Sequence, residues 1–267
     1  ASPLLTAEAQ GEADLAANTA QLGYALGTPD LAPIAEAYGV DAAGRLDAEG
    51  RLDGALDAPR LDGTLALEDI AYDGQPYGRL ALEHDVTLGA TPEGRVSLTS
   101  EGSPFGPAEL ATDFRLDQPR LALTDLSADV LGVVAESDVT VDLETTLAEG
   151  RVAARVADLQ PLADYLDAPV TGEAEGVLDF AVEGGTQTVA LDVTAGNVTA
   201  PDTRLDSLTV NATVRDALGS PSAEGRVLAE GVAAAGAEIG RLVLDGQASD
   251  LRDSPAADVT LEADDIA

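Results

Sequence analysis

The feature that most constrains this chain is an alternation of period two. Leu80, Leu82, His84, Val86 and Leu88 share one parity, while Arg79, Glu83, Asp85 and Thr87 share the other. Side chains point to opposite faces along a β-strand, so such a segment has one apolar face and one wet face. The pattern recurs in Leu110, Phe114 and Leu116, set against Asp113 and Arg115, and in Val139, Val141 and Leu143, set against Asp138, Thr140, Asp142 and Glu144. It returns in Ala174, Gly176, Leu178, Phe180 and Val182, and again in Leu208, Val210, Ala212 and Val214. Turn formers punctuate these runs roughly every 8 to 14 residues. They include Asp73-Gly74, Glu93-Gly94, Glu149-Gly150, Gly184-Gly185 and Ala200-Pro201-Asp202. Such spacing predicts hairpins and meanders, with about 15 to 20 strands, mostly antiparallel.

Two stretches depart from the alternation. Residues 28–39 (TPDLAPIAEAYG) read as a short helix in which Asp30 can cap, Pro33 sits early and Gly39 terminates. Residues 158–166 (DLQPLADYL) read the same way. These stretches anchor an internal repeat, because 30–88 and 158–214 share an order: D-L-x-P, a Tyr, a strand opening with Gly, a turn and three more strands. The offset from Asp30 to Asp158 sets a repeat length of 128 residues, far longer than leucine-rich or propeller repeats. The expected organisation is one elongated β-groove fragment over 1–267, with repeat-like units at about 1–29 (partial), 30–157 and 158–267. The alternation continues through Asp258–Ala267, so the chain is expected to be part of something longer.

Composition decides what such strands enclose. The 45% apolar content is mostly Ala, Leu and Val, with 3% aromatics and no Trp. A compact core of this size draws on more large rings, and a sandwich does too. A propeller would show a blade period of roughly 40 to 50 residues. The sequence therefore predicts an all-β fold: a long, curled antiparallel sheet, U-shaped and open, with an apolar concave interior and two short helices. Strand parity nominates Leu61, Leu65, Leu67, Leu80, Leu82, Val86, Leu88, Leu110, Phe114 and Leu116 as groove lining in the first half. It nominates Val139, Val141, Leu143, Leu178, Phe180, Val182, Val189, Leu191, Val193, Leu208, Val210, Val214, Leu242, Leu244, Val259 and Leu261 in the second.

The charge is as one-sided as the strands. The 49 acids face 14 basic residues, all of them Arg, for a net charge of −35. That field repels nucleic acid and disfavours lying flat on an anionic membrane. Dense surface carboxylates of this halophilic type keep a protein hydrated in high salt; recognition of a basic partner is the alternative use of the same field. There is no Cys, hence no disulfide and no cysteine metal site. No run of 18 apolar residues occurs to span a bilayer as a helix. No basic stretch followed by an apolar one opens the chain, so no signal peptide is visible.

The phrases DLAPIAEAYGVDAAGRLDAEGRLDG (30–54), DLSADVLGVVAESDVTVDLETTLAEGRVAARVADLQPLADYL (125–166) and GRLVLDGQASDL (240–251) resemble the repeat region of the TamB family, within the AsmA-like, repeating β-groove superfamily. Residues 72–80 and 234–242 match the family's G-x-x-x-G-x-L phrase. The resemblance covers nearly the whole chain, on motifs that are β-patterned and simple. It implies a long open β-groove in the periplasm, anchored in the inner membrane by a helix that this chain does not contain. It further implies that the groove conducts phospholipids by their acyl chains between inner and outer membrane. A link to outer-membrane protein assembly follows, through an Omp85-type (TamA-like) barrel engaged by regions absent here. Two other readings stay open: a structural or adhesive acidic β-repeat of a surface protein with a packed interior, and a scaffold that pairs its edge with inserting barrel strands.

Candidate chemistry is sparse. His84, the single His, falls by parity on an apolar face; it reads as a histidine at a strand end or groove rim bonded to a neighbour, rather than a pH-sensitive element of the groove. A lone His without Cys makes no zinc site. Carboxylate pairs such as Asp264-Asp265 and Glu173/Glu175 are expected by chance among so many acids, and no calcium-loop spacing, P-loop or nucleophile elbow occurs. No catalytic residue, metal or cofactor is therefore assigned, and the chain reads as a non-enzyme.

Overall fold

The computed structural model describes residues 5–104, 106–234, 236–249, 252 and 255–267. Ala235 and the last two residues of the 240–251 phrase lie outside these. The fold is all-β, as the alternation predicts: among the described residues sixteen antiparallel strands follow chain order, with two short helices.

The chain divides into two compact units, Ala1–Leu131 and Gly132–Ala267. The first holds β1 (Thr6–Asp14), β2 (Thr19–Thr28), α1 (Ala32–Ala37), β3 (Ala42–Ala55), β4 (Ala58–Tyr72), β5 (Gln75–Thr87), β6 (Glu93–Ser103), β7 (Gly106–Asp117) and β8 (Arg120–Val130). The second holds β9 (Val133–Asp142), β10 (Ala148–Val156), α2 (Gln160–Tyr165), β11 (Thr171–Glu183), β12 (Thr186–Ala200), β13 (Thr203–Arg215), β14 (Ser222–Ala234), β15 (Ala237–Ser249) and β16 (Ala256–Ile266). Each unit thus runs through a hairpin, a short helix and six further strands.

The same local chemistry builds the same joints in both. In the first hairpin the Asp14 carboxylate accepts the backbone N–H groups of Ala16 and Ala17, each at 2.9 Å. In the second, Asp142 accepts those of Glu144 and Thr145 at 3.0 and 2.8 Å. An Asp side chain that takes up local N–H groups in this way fixes a turn. The strand after each helix opens with a bulge at Gly44 (φ 139°) and Gly172 (φ 134°), a left-handed backbone that only glycine adopts without strain. The bulged carbonyl then accepts from the helix entrance: Leu31 N–H to Gly44 O at 2.8 Å, and Leu159 N–H to Gly172 O at 2.9 Å.

Three local expectations need correction. The first helix is shorter than 28–39, and Asp30 sits one place before the cap residue Leu31; its carboxylate still accepts Ala32 N–H at 3.0 Å, as Asp158 accepts Gln160 N–H at 2.9 Å. Glu93-Gly94 and Glu149-Gly150 are not turns but lie inside β6 and β10. The reason is close backbone approach: a Cβ on Gly94 would stand 2.2 Å from Asp85 O, and one on Gly150 2.1 Å from Asp138 O. Glycine marks contact between strands here, not a break in them.

Among the described residues no dense core forms. The buried apolar residues among those described are Ala20, Val86, Val156, Ala163, Ala229 and Val243, mostly small. The accessible surface is 16217 Å², whereas a globular chain of 27.0 kDa exposes roughly 11,000 Å². Most apolar side chains are therefore only half-buried within one sheet layer.

Candidate functional site

Register turns the alternation into rows that cross the strands. On the first unit one row reads Leu22, Leu52, Leu61, Val86, Gly94, Phe114, Leu123. Another, four residues along each strand and five on β8 where the pairing with β7 shifts, reads Leu26, Ala48, Leu65, Leu82, Leu98, Leu110, Ala128. The opposite face alternates charge instead. There Arg60 makes a two-pronged bond to Asp85 at 2.7 and 2.5 Å, Arg95 meets Asp113 at 3.4 Å, and Arg115 meets Glu93 at 2.5 Å.

On the second unit the rows read Val152, Leu178, Leu191, Ala212, Gly225, Gly246, Val259 and Ala154, Gly176, Val193, Val210, Val227, Leu244, Leu261. A cavity of about 230 Å³ lies over them where β10, β11 and β12 meet, walled mainly by Val152, Ala154, Val156, Leu178, Leu191 and Val193, with Glu175 also in its lining. Larger concavities lie mainly on the charged face, one of about 780 Å³ bordered by Val134, Glu136, Ala153, Arg155, Glu175 and Val177, and one of about 920 Å³ bordered by Glu8, Glu49, Arg51 and Asp62 and also by Tyr24, Gly50 and Gly63. Both carry carboxylates, whereas the exposed wall of the smaller cavity is almost wholly apolar, which makes it the better match to hydrocarbon of the three. The division of faces is imperfect in this unit, since Val177, Leu228 and Val243 share the parity of the charged residues.

Of the lining residues nominated by parity, all but two lie within strands on the face of these rows. Leu88 falls past the end of β5, where its N–H bonds Pro59 O at 2.8 Å, and Leu143 falls in the turn that Asp142 organises, exposed to solvent. Both continue a parity that the strand itself does not continue. Leu22, Tyr24, Leu52, Leu98, Val152 and Val227 complete the rows and were legible as the same alternation in TAQLGYALG (19–27) and its counterparts.

His84 is not at a rim. It lies within β5, in the row Tyr24, Gly50, Gly63, His84 that runs from β2 to β5. Its Nε2 is 3.3 Å from Tyr24 Oη, reaching past two intervening strands, and its Nδ1 is buried without a partner. Burial raises the Tyr24 hydroxyl above the ordinary tyrosine range, and the negative charge of Asp62 adds to that. The chain matches no family model, no curated protein and no solved structure.

The charged face explains what the arginines do. Guanidinium hydrogen bonds hold the carboxyls of Asp85, Asp179 and Glu224 below their usual range, through Arg60, Arg151 and Arg215 respectively. All are exposed pairs, so they align neighbouring strands more than they stabilise the fold. Among the described residues, no group of three or more His, Asp or Glu is placed to hold a metal ion, and no helix is long and apolar enough to cross a membrane.

Proposed function

We propose that the apolar face of this sheet shields the acyl chains of phospholipids from water, and that the charged face stays in solvent. The observation that carries this reading is the cavity over β10–β12, about 230 Å³ and walled by aliphatic side chains. Its exposed wall is almost wholly Val, Leu and Ala, so it suits an occupant that needs no hydrogen bonds. A helix, some 10 to 12 Å across with its side chains, is too broad for that volume; a polymethylene chain is not. Each methylene buried there gains about 0.8 kcal/mol. Rows of like residues on successive strands let a chain exchange one set of contacts for an equivalent set, which favours movement along the sheet over tight retention. The periplasmic setting, movement between inner and outer membrane, and an Omp85-type barrel partner belong to this proposal through the TamB-like phrases of the sequence.

The test is direct. Chain 1–267 is purified, extracted with chloroform and methanol, and the extract is read by mass spectrometry; in parallel the protein is titrated with a fluorescent fatty acid. Co-purified phospholipid and saturable uptake are expected. Neither lipid nor uptake would leave the rows as packing surface alone.

A further inference from the structure

The two units place one row in the same position and fill it differently. On the first the row is Tyr24, Gly50, Gly63, His84; on the second, 128 residues on, it is Val152, Leu178, Leu191, Ala212. The glycines leave a trough, and the Tyr24 ring lies in it. A Cβ on Gly50 would stand 2.6 Å from Tyr24 Oη and 2.8 Å from its Cζ, and one on Gly63 2.9 Å from the Oη. The ring therefore takes the space that two aliphatic side chains take on the second unit. Its hydroxyl ends 3.3 Å from His84 Nε2, so the ring is tethered at its far end. On the second unit Val152, Leu178 and Leu191 instead form part of the wall of the 230 Å³ cavity.

We propose that Tyr24, held by His84, is a plug: it closes this row on the first unit, so that an acyl chain lodges over β10–β12 and not over β2–β5. The inference rests on the acyl-chain reading above. A polymethylene chain entering the first row would have to lift the ring and separate Tyr24 Oη from His84 Nε2. It has no polar group to give either atom in exchange. His84 Nδ1, already buried without a partner, makes the imidazole depend on that single bond.

The test uses the whole chain and cis-parinaric acid as the probe. Five proteins are compared: wild type, Y24V/H84A (which copies Val152 and Ala212), Y24V (which keeps the histidine), Y24F (which keeps the ring), and A154L (which fills the second-unit cavity). Wild type and Y24F are expected to bind one equivalent, A154L to lose at least tenfold in affinity, and Y24V/H84A to bind two. The single histidine supplies a second readout that survives poor folding of the double variant: in Y24V the His84 ring resonances shift on adding probe, and in wild type they do not. One equivalent in Y24V/H84A with no His84 shift in Y24V overturns the plug while leaving the acyl-chain reading standing. A His84 shift in wild type overturns it too. No binding to wild type with one equivalent in Y24V/H84A overturns the proposal as stated, because the second-unit site it directs the chain to is then absent. No binding by any of the five overturns both.

Discussion

Tyr24→Phe removes one oxygen and tests whether the contact between β2 and β5 holds the first unit together. His84 has Nε2 within 3.3 Å of the Tyr24 hydroxyl and a buried Nδ1 with no partner. Without the hydroxyl, neither ring nitrogen is paired. A lost hydrogen bond costs about 1 kcal/mol net, and leaving a buried group unsatisfied costs about 1 to 3 kcal/mol. The bond is part-buried, so we expect the lower half of that range, about 1 to 2 kcal/mol. In a repeat protein each unit carries its own stability. For the unit Ala1–Leu131, an unfolding entropy of roughly 2.1 cal/mol/K per residue converts this cost to a fall in Tm of about 4 to 7 °C. The assay is thermal melting by circular dichroism of wild type, Y24F, H84A and the double variant. A change under about 1 °C in Y24F, against the several degrees this scaling gives, would refute the reasoning. So would a Y24F effect as large in the H84A background as in wild type, because the cost would then not come from the pair.

Three further outcomes follow from the same geometry. Burial and Asp62 raise the Tyr24 hydroxyl, so its contribution is fully present below the unfolded value of about 10 and is lost as pH rises through the folded value; the stability gap between wild type and Y24F, measured by urea titration, should narrow above that pH. Gly44→Ala forces a side chain into φ 139° with its Cβ 2.8 Å from Glu68 O, and should destabilise the first unit by about 1 to 3 kcal/mol by the same titration; unchanged stability would show the bulge is dispensable. Raising NaCl should raise Tm, because a net charge of −35 repels itself over distances that salt screens from about 10 Å at 0.1 M to 3 Å at 1 M; a falling Tm would mean that the arginine pairs outweigh the repulsion.

Much of this protein is legible along the chain because its contacts are between neighbours in sequence. Strand pairs in chain order need only alternation and turns, and both are written locally: Leu80 to Val86 against Arg79 to Asp85, Gly184-Gly185, Ala200-Pro201-Asp202. The Asp14 and Asp142 turns show the same 128-residue spacing as Asp30 and Asp158, so the repeat extends to the hairpin before each helix. Glycine was ambiguous: Gly94 and Gly150 carry the composition of a turn and the geometry of a strand, and only the distance to the neighbouring carbonyl separates the two.

The sequence by itself determined the fold class and most of the row-forming residues, because a period of two fixes which side chains of a strand share a surface until the strand ends or a bulge intervenes. It did not determine which residues meet across strands, because register is a relation between strands and is set by bulges and turn lengths. That is why Tyr24 and His84, sixty positions apart, read separately as an unremarked tyrosine and a rim histidine. Only the tertiary structure placed two glycines between them, laid the ring across both, and made the pair a bridge over the apolar face.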